Sequence, residues 1–536
     1  MFGKTLSLGL SVVLLLVGVV GVAAAQDVRL PDAAMKGDLE AVRSLLAEDI
    51  DVNLAHGDGN TALHWATYRR NAEMVRALIN AGADSSARTR IGEMTPLFMA
   101  SKVGDAEIMS LLLEAGADAT LRSTTGTTPL MLAAGSGKVA AVQLLLENGA
   151  DVNSRDVTNG QTAAMFAAAL NRGAVISMLA ENGADLGILS KVAHVQQGRR
   201  ATVDDELDER TVQMGGNAAL HFAAREGAFD AIRALVAAGA EVNQVSENDG
   251  TPPITQALIT GNLDIAMFLL ESGADTNISN ADGLAPLYAT LDARFAQRTW
   301  YPPPSVTQEE TNYLDLMKAL LAKGADPNAR LTERLWYRQF GNSGSPDRAG
   351  ATPFWRATQA HDMTAMKMLL DAGGDPNINT LLESSALMVA SGIHYSNQGL
   401  NYVPDQRFEI VKFLVEELGA DVNHKDETGH TSLHGAALIG NHDIVRYLVD
   451  KGADVTARAN TISGSGDGGG TAQEVDPGTG DTAADMANGW SMNAPQYPET
   501  VQLLISLGSP FANTCWASNC VNPTISDEKV NGKKNQ

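Results

Sequence analysis

Ten times along this chain an apolar run that reads as a helix stops at the same three-residue signal. It is Gly-Ala-Asp at Gly82, Gly116, Gly149, Gly183, Gly273, Gly324, Gly419 and Gly452, with variants Gly239-Ala240-Glu241 and Gly373-Gly374-Asp375. The first four follow one another at steps of 34, 33 and 34 residues. A fixed period of this size means one supersecondary unit repeated, and such a unit buries its apolar face only by stacking on its neighbours. The length of 536 residues therefore does not count domains, because a solenoid grows by adding units rather than enlarging one core.

A second motif keeps step with the first. Thr61-Ala62-Leu63-His64, Thr95-Pro96-Leu97-Phe98, Thr128-Pro129-Leu130-Met131, Ala219-Leu220-His221, Thr352-Pro353-Phe354-Trp355 and Thr431-Ser432-Leu433-His434 open helices. Threonine caps backbone N–H groups that have no partner in the first turn, and proline fits the first helical position because its missing N–H is not needed there. Rows such as Leu111-Leu112-Leu113 and Leu144-Leu145-Leu146 supply the second helix. That helix stops at the glycine, where the chain turns through a left-handed residue.

Two linked motifs in fixed order resemble the ankyrin repeat family over roughly residues 27–508. The resemblance implies an all-α ankyrin-repeat solenoid of about twelve helix-turn-helix units with β-hairpin fingers, stacked into a curved superhelix. Repeats 1–5 fall in 27–185, 6–8 in 216–330, 9–11 in 351–456 and a C-terminal capping repeat in 482–508. Between them lie an inserted finger loop (186–215), an aromatic finger insertion (331–350) and a Gly-rich flexible insertion (457–481). The polar, acidic stretch around Asp204, Asp205, Glu206, Asp208 and Glu209 predicts a mobile loop in the first of these. Two further insertions separate the helices within a repeat, one holding Trp300-Tyr301-Pro302 and one holding His394-Tyr395 and Tyr402.

The ends carry other signals. Lys4, an apolar run from Leu6 to Val22 and Ala23-Ala24-Ala25 read as a signal peptide over 1–25, giving a periplasmic or secreted protein that begins at Gln26. A membrane partner follows only if that segment stays uncleaved. The tail, 509–536, holds Cys515 and Cys520, which an oxidising compartment predicts as a local disulfide. The end of the chain also resembles, more weakly, the ends of exported bacterial ankyrin proteins.

The formal charge of −24 repels phosphate backbones and argues against nucleic-acid partners. Sequence signatures of a zinc-protease helix, a nucleophile elbow and a phosphate loop are missing, so no catalytic residue and no cofactor are assigned. His64, His221 and His434 sit where the family uses histidine to tie a repeat together, and the cluster of His424, His430, His434 and His442 is read as structural rather than metal-binding. Asp467, Glu474, Asp476 and Asp481 are read as a solvated acidic linker rather than a calcium site. The series Trp65, Met99, Leu132, Phe166 and Phe222 is read as core between repeats.

Partner-binding residues are expected at finger tips and first-helix ends. Tyr68, Arg69, Arg88, Arg90, Lys102, Arg122 and Arg225 suggest a basic strip for an acidic segment of a protein partner. Trp336, Tyr337, Arg338 and Phe340, with Trp355, suggest an aromatic anchor, since aromatics and arginine dominate interface energetics. The function expected is a non-enzymatic protein–protein interaction scaffold. The alternatives are an enzyme or small-ligand site built from the insertions near 292–355, and a structural envelope spacer.

Overall fold

The computed structural model describes residues 27–48, 50–196, 211–295, 309–333, 335, 348–393, 406–462, 473–489 and 496–511. The signal segment, the Cys515–Cys520 pair, the insertion aromatics Trp336, Tyr337, Arg338 and Phe340, and most of the Gly-rich stretch lie outside the described residues. Among the described residues twenty-four helices fall into twelve pairs, from Arg29–Lys36 with Leu39–Leu46 to Ala483–Ala487 with Pro498–Ser506. The chain divides into two compact bodies: Met1–Ala100 with Asp105–Asp118, and Ser101–Gly104 with Ala119–Gln536.

Repeats 4 and 5 show why the sequence folds this way. Thr128 accepts the Met131 N–H at 3.3 Å to start the first helix, Pro129–Ser136. The second helix, Val139–Glu147, ends in a paired cap. Ala150 N–H reaches back to Leu145 O at 3.0 Å and Gly149 N–H to Leu146 O at 3.1 Å. That cap requires Gly149 at φ 84°, a conformation that costs any side-chain-bearing residue. Leu130, Met131, Ala133, Ala134, Val142 and Leu145 are buried, and the first helices of repeats 4 and 5 pack on one another. The alanines let the backbones approach closely.

Two ladders join successive repeats, both in the segment that links a second helix to the next first helix. In the first, an asparagine two residues beyond several of these three-residue signals bridges to the next repeat. Asn153 donates to Gly183 O at 3.1 Å and accepts the Asp185 N–H at 2.8 Å. Asn243, Asn277, Asn328 and Asn423 repeat this with Gly273, Gly324, Gly373 and Gly452. In the second, a finger-tip N–H donates to the preceding finger: Val157 to Thr125 O at 2.8 Å, Ala281 to Asp249 O at 2.7 Å, Leu381 to Ala349 O at 2.7 Å.

Strand pairing is rarer than the expected β-hairpin fingers. The described residues hold two short antiparallel sheets, Val192–Gln196 with Thr211–Gly215 and Thr461–Ile462 with Gln473–Glu474. Both lie at insertions; the ordinary fingers are shorter and close with a single hairpin bond each, such as Asp156 N–H to Gln161 O at 2.9 Å and Ser246 N–H to Thr251 O at 3.0 Å. The stretch expected as a mobile loop thus begins and ends in strands, with Val192 opposite Gly215. Gly215 sits at φ 103°, and a Cβ there would come within 2.0 Å of Lys191 O.

Candidate functional site

The motif histidines act as staples. His221 Nδ1 accepts the Ala218 N–H at 3.2 Å, and its Nε2–H donates to Thr251 O, in the next repeat, at 3.0 Å. His64 does the same between Thr61 and Met94 O, and His434 between Thr431 and Asp481 O. Both nitrogens are committed to the neutral ring. Burial holds His64 below the usual imidazole range, His221 down to about 4 and His434 down to about 3. Among the described residues no three metal-capable side chains come together.

Most of the expected basic strip is occupied within the protein. Arg69 Nε donates to Met35 O at 2.8 Å, closing the end of the preceding repeat's first helix. Arg90 reaches Gly57 O at 2.8 Å, and Arg88 pairs with Glu93 at 2.7 Å. Arg122 donates to Arg155 O at 2.9 Å and Ser154 Oγ at 3.1 Å, a finger-to-finger bond that Arg155 repeats with Leu189 O. Arg225 pairs with Glu226 at 2.9 Å and lies over the Phe222 ring. These guanidiniums still carry charge, but their donors serve the stack. Lys102 is exposed, and Tyr68 is exposed with its ring edge-on to Trp65. Within the first body Arg69, Arg88 and Arg90 share no bonding partner, and within the second Arg122 and Arg225 share none.

Trp355 departs from the expected surface anchor because it is fully buried. It occupies the histidine position of the helix-opening motif, and its Nε1–H donates to Ser384 O, in the next repeat, at 3.1 Å. The indole does the histidine's work. The apolar series at the next position is less buried than expected: Phe222 is buried, but Trp65, Met99, Leu132 and Phe166 are half-buried.

Sequence reasoning missed two sets of residues. The first is apolar and exposed: Ile91 (83%), Val157 (60%) and Leu381 (54%) at finger tips, with Leu170 at a first-helix end. The finger ladder could have flagged them, since Val157 and Leu381 share its register.

The second set is buried and charged. Asp292, in the first helix of repeat 8 (Pro286–Arg294), meets Arg348 NH1 and Arg356 Nε, each at 3.3 Å from Oδ1. Arg356, in the first helix of repeat 9 (Pro353–Gln359), also donates to Phe295 O at 2.6 Å. Burial, and then the Arg348 charge, push Arg356 below the usual guanidinium range. Tyr288, one turn before Asp292, is buried, and its phenol is pushed up to about 12. The sequence offers one signal: Arg356 falls at the register of Trp65, Leu132 and Phe222, where most other repeats carry apolar side chains.

A shallower groove of about 500 Å³ runs along the second helices of repeats 6 and 7. Its lining includes Phe229, Phe268 and Arg233, with Glu309 and Glu310 alongside. Its carboxylates are engaged locally. Glu309 accepts the Asp264 N–H at 2.8 Å, and Asp264 accepts the Glu310 and Thr311 N–H groups.

Helix pairs joined by capped glycines, stapled by motif histidines and bridged by asparagine define a stacked-repeat protein. A family model described as "Ankyrin repeats (3 copies)" matches residues 30–123, 97–189, 195–280 and 354–459, more than half of the chain, and the chain belongs to the ankyrin repeat family. It is similar over 46% of its length to the E3 ubiquitin-protein ligase KEG of Arabidopsis thaliana, at 25% identity, covering 15% of that protein. It is similar over 40% of its length to alpha-latrocrustotoxin-Lt1a of Latrodectus tredecimguttatus, at 26% identity and 13% of that chain. Protein PhlB of Serratia liquefaciens is 40% identical over 101 residues, 19% of this chain and 44% of that one. The chain thus spans a small part of the first two relatives. Among solved structures, the human ASB11 ankyrin repeat domain matches 46% of this chain and 98% of its own at 24% identity, with a TM-score of 0.37.

Proposed function

We propose that this chain is a protein-recognition scaffold, exported from a bacterial cell, that binds a protein partner through finger tips and first-helix ends and catalyses no reaction. Ankyrin repeats generally mediate protein–protein interaction, and the fold is generally a binding scaffold. The observation that carries the reading is the set of exposed apolar side chains Ile91, Val157 and Leu381 at successive kinds of finger tip. A large apolar side chain left in water at a loop tip has no use to the stack, and becomes favourable when a partner covers it. Apolar contact therefore supports the partner better than an acidic segment does, because Arg69, Arg90 and Arg122 spend their donors on backbone carbonyls. Export rests on the apolar run and Ala23-Ala24-Ala25 of the N-terminus. Among the described residues no helix is long and apolar enough to cross a membrane.

The test is crosslinking capture of envelope and culture-fluid proteins, with the native chain and a Val157→Asp, Leu381→Asp chain as baits. One protein saturably enriched by the native bait and lost with the variant is expected. Retention by both baits rejects these tips, and no saturable partner rejects recognition itself. N-terminal sequencing of the chain from cell fractions reads the export: a start at Gln26 outside the cytoplasm is expected.

A further inference from the structure

We propose that Arg348 and Arg356 form a buried receptor for the carboxylate of a small organic acid. This goes beyond protein recognition and uses different residues. Two guanidiniums here share one carboxylate oxygen, Asp292 Oδ1, through single 3.3 Å contacts. A guanidinium paired with its own carboxylate makes two parallel, shorter bonds. This arrangement leaves donors over: Arg348 NH2 and Arg356 NH1 are buried and donate to no acceptor. Gln359, one turn on from Arg356 along the same helix, is buried with neither end of its amide bonded.

An unpaired buried guanidinium donor is costly, and two cations over one anion in a dry interior are costlier still. The stack does not require a cation there, since most other repeats carry an uncharged side chain at the Arg356 register, from Phe222 to Gln256. A carboxylate supplies both missing quantities at once. Its charge balances the second guanidinium, and its two oxygens offer one acceptor to Arg348 NH2 and one to Arg356 NH1. Asp292 acts as the positioning residue, holding Arg348 by NH1 and Arg356 by Nε so that one further nitrogen of each is left for the ligand. Because the unpaired nitrogens are enclosed, entry requires local opening, and binding is slow.

The experiment follows thermal unfolding of the purified full chain in sodium acetate, succinate, phosphate and chloride at one ionic strength. Arg348→Gln and Arg356→Met chains run alongside, and native mass spectrometry of the chain as purified looks for a retained acid. The Arg348→Gln chain keeps a one-to-one Arg356–Asp292 pair, so it folds even if the Arg356 variant does not. The expected result is a melting temperature raised a few degrees by acetate or succinate over chloride in the native chain, and unchanged in both variants. Three results overturn the proposal. They are no difference between carboxylates and chloride, the same rise in Arg348→Gln, or a rise with phosphate alone. A cluster serving only the fold would instead make the variants less stable by one constant amount in every salt.

Discussion

Repeats 6 and 9 solve the same problem with different chemistry. Each must hand an N–H from its first helix to a carbonyl of the following repeat. Repeat 6 uses His221 to Thr251 O, and repeat 9 uses Trp355 to Ser384 O, at nearly the same distance. The next position separates them. Repeat 6 carries Phe222, buried over its neighbours, and repeat 9 carries Arg356, equally buried but ionised. The staple tolerates a change of ring, because any rigid donor of the right length serves. A charge at the next register cannot be absorbed within the repeat, and it draws in Asp292 and Arg348 from 64 and 8 positions away in sequence.

That contrast can be broken at its charged end. Asp292→Ala leaves two buried cations without an anion and is expected to destabilise the second body by about 3–5 kcal/mol. Hydrogen exchange, which reads each repeat separately, should place the loss in repeats 8 and 9; protection unchanged there would show that the carboxylate does not hold the cluster. A stack of this length need not unfold in one step, so a local probe suits it better than one melting point.

Acidification sharpens the contrast from the histidine side. The folded pKa of His221, about 4, lies below the unfolded value near 6.5, so folding favours the neutral ring. Its contribution is complete above pH 6.5 and is lost as pH falls towards 4, at up to about 1.4 kcal/mol per pH unit. Denaturant midpoints at pH 7.5, 5.5 and 4.5 should fall in the native chain and fall less steeply in His221→Gln. Parallel slopes in the two chains would remove the staple from the account. His361, held down to about 3 by burial and the Arg407 charge, adds a loss in the same direction from repeat 9.

The ladder comes next in size. Asn153→Ala removes two bonds whose partners can turn to water, and the expected cost is about 1 kcal/mol, confined to repeats 4 and 5. Exchange of the Asp185 N–H should quicken while the repeat 9 amides stay unchanged. Smallest is Arg88→Glu, which breaks an exposed pair and should move stability by no more than about 0.5 kcal/mol. A larger shift would mean that Arg88 supports the fold in a way its single contact does not explain.

The repeat was legible because its two motifs encode caps, and caps are local: Thr128 and Gly149 act within four residues of themselves. The histidine staples were legible too, since their register repeats. The asparagine ladder was present in the sequence as Gly-Ala-Asp followed by asparagine two residues on, and the shorter signal hid it. Trp355 was misread because aromatic type was weighed before register. The cluster of Asp292, Arg348 and Arg356 left one mark only, an arginine at a mostly apolar register. Its members come from different repeats, and no spacing rule connects them. The engagement of Arg90 and Arg122 was hidden because their partners are backbone carbonyls about 33 residues away, and carbonyls leave no mark in a sequence.

The asparagine ladder bears on mechanics. Asn277 and Asn328 keep their rungs although 47 and 45 residues separate them from their carbonyl partners. The longer separation therefore leaves the rung itself unchanged. Tension applied along the second body would meet rungs interrupted at Gly187 and at Asn377, which bonds its own Asp375, so the load would fall unevenly and the seam would open first at those gaps.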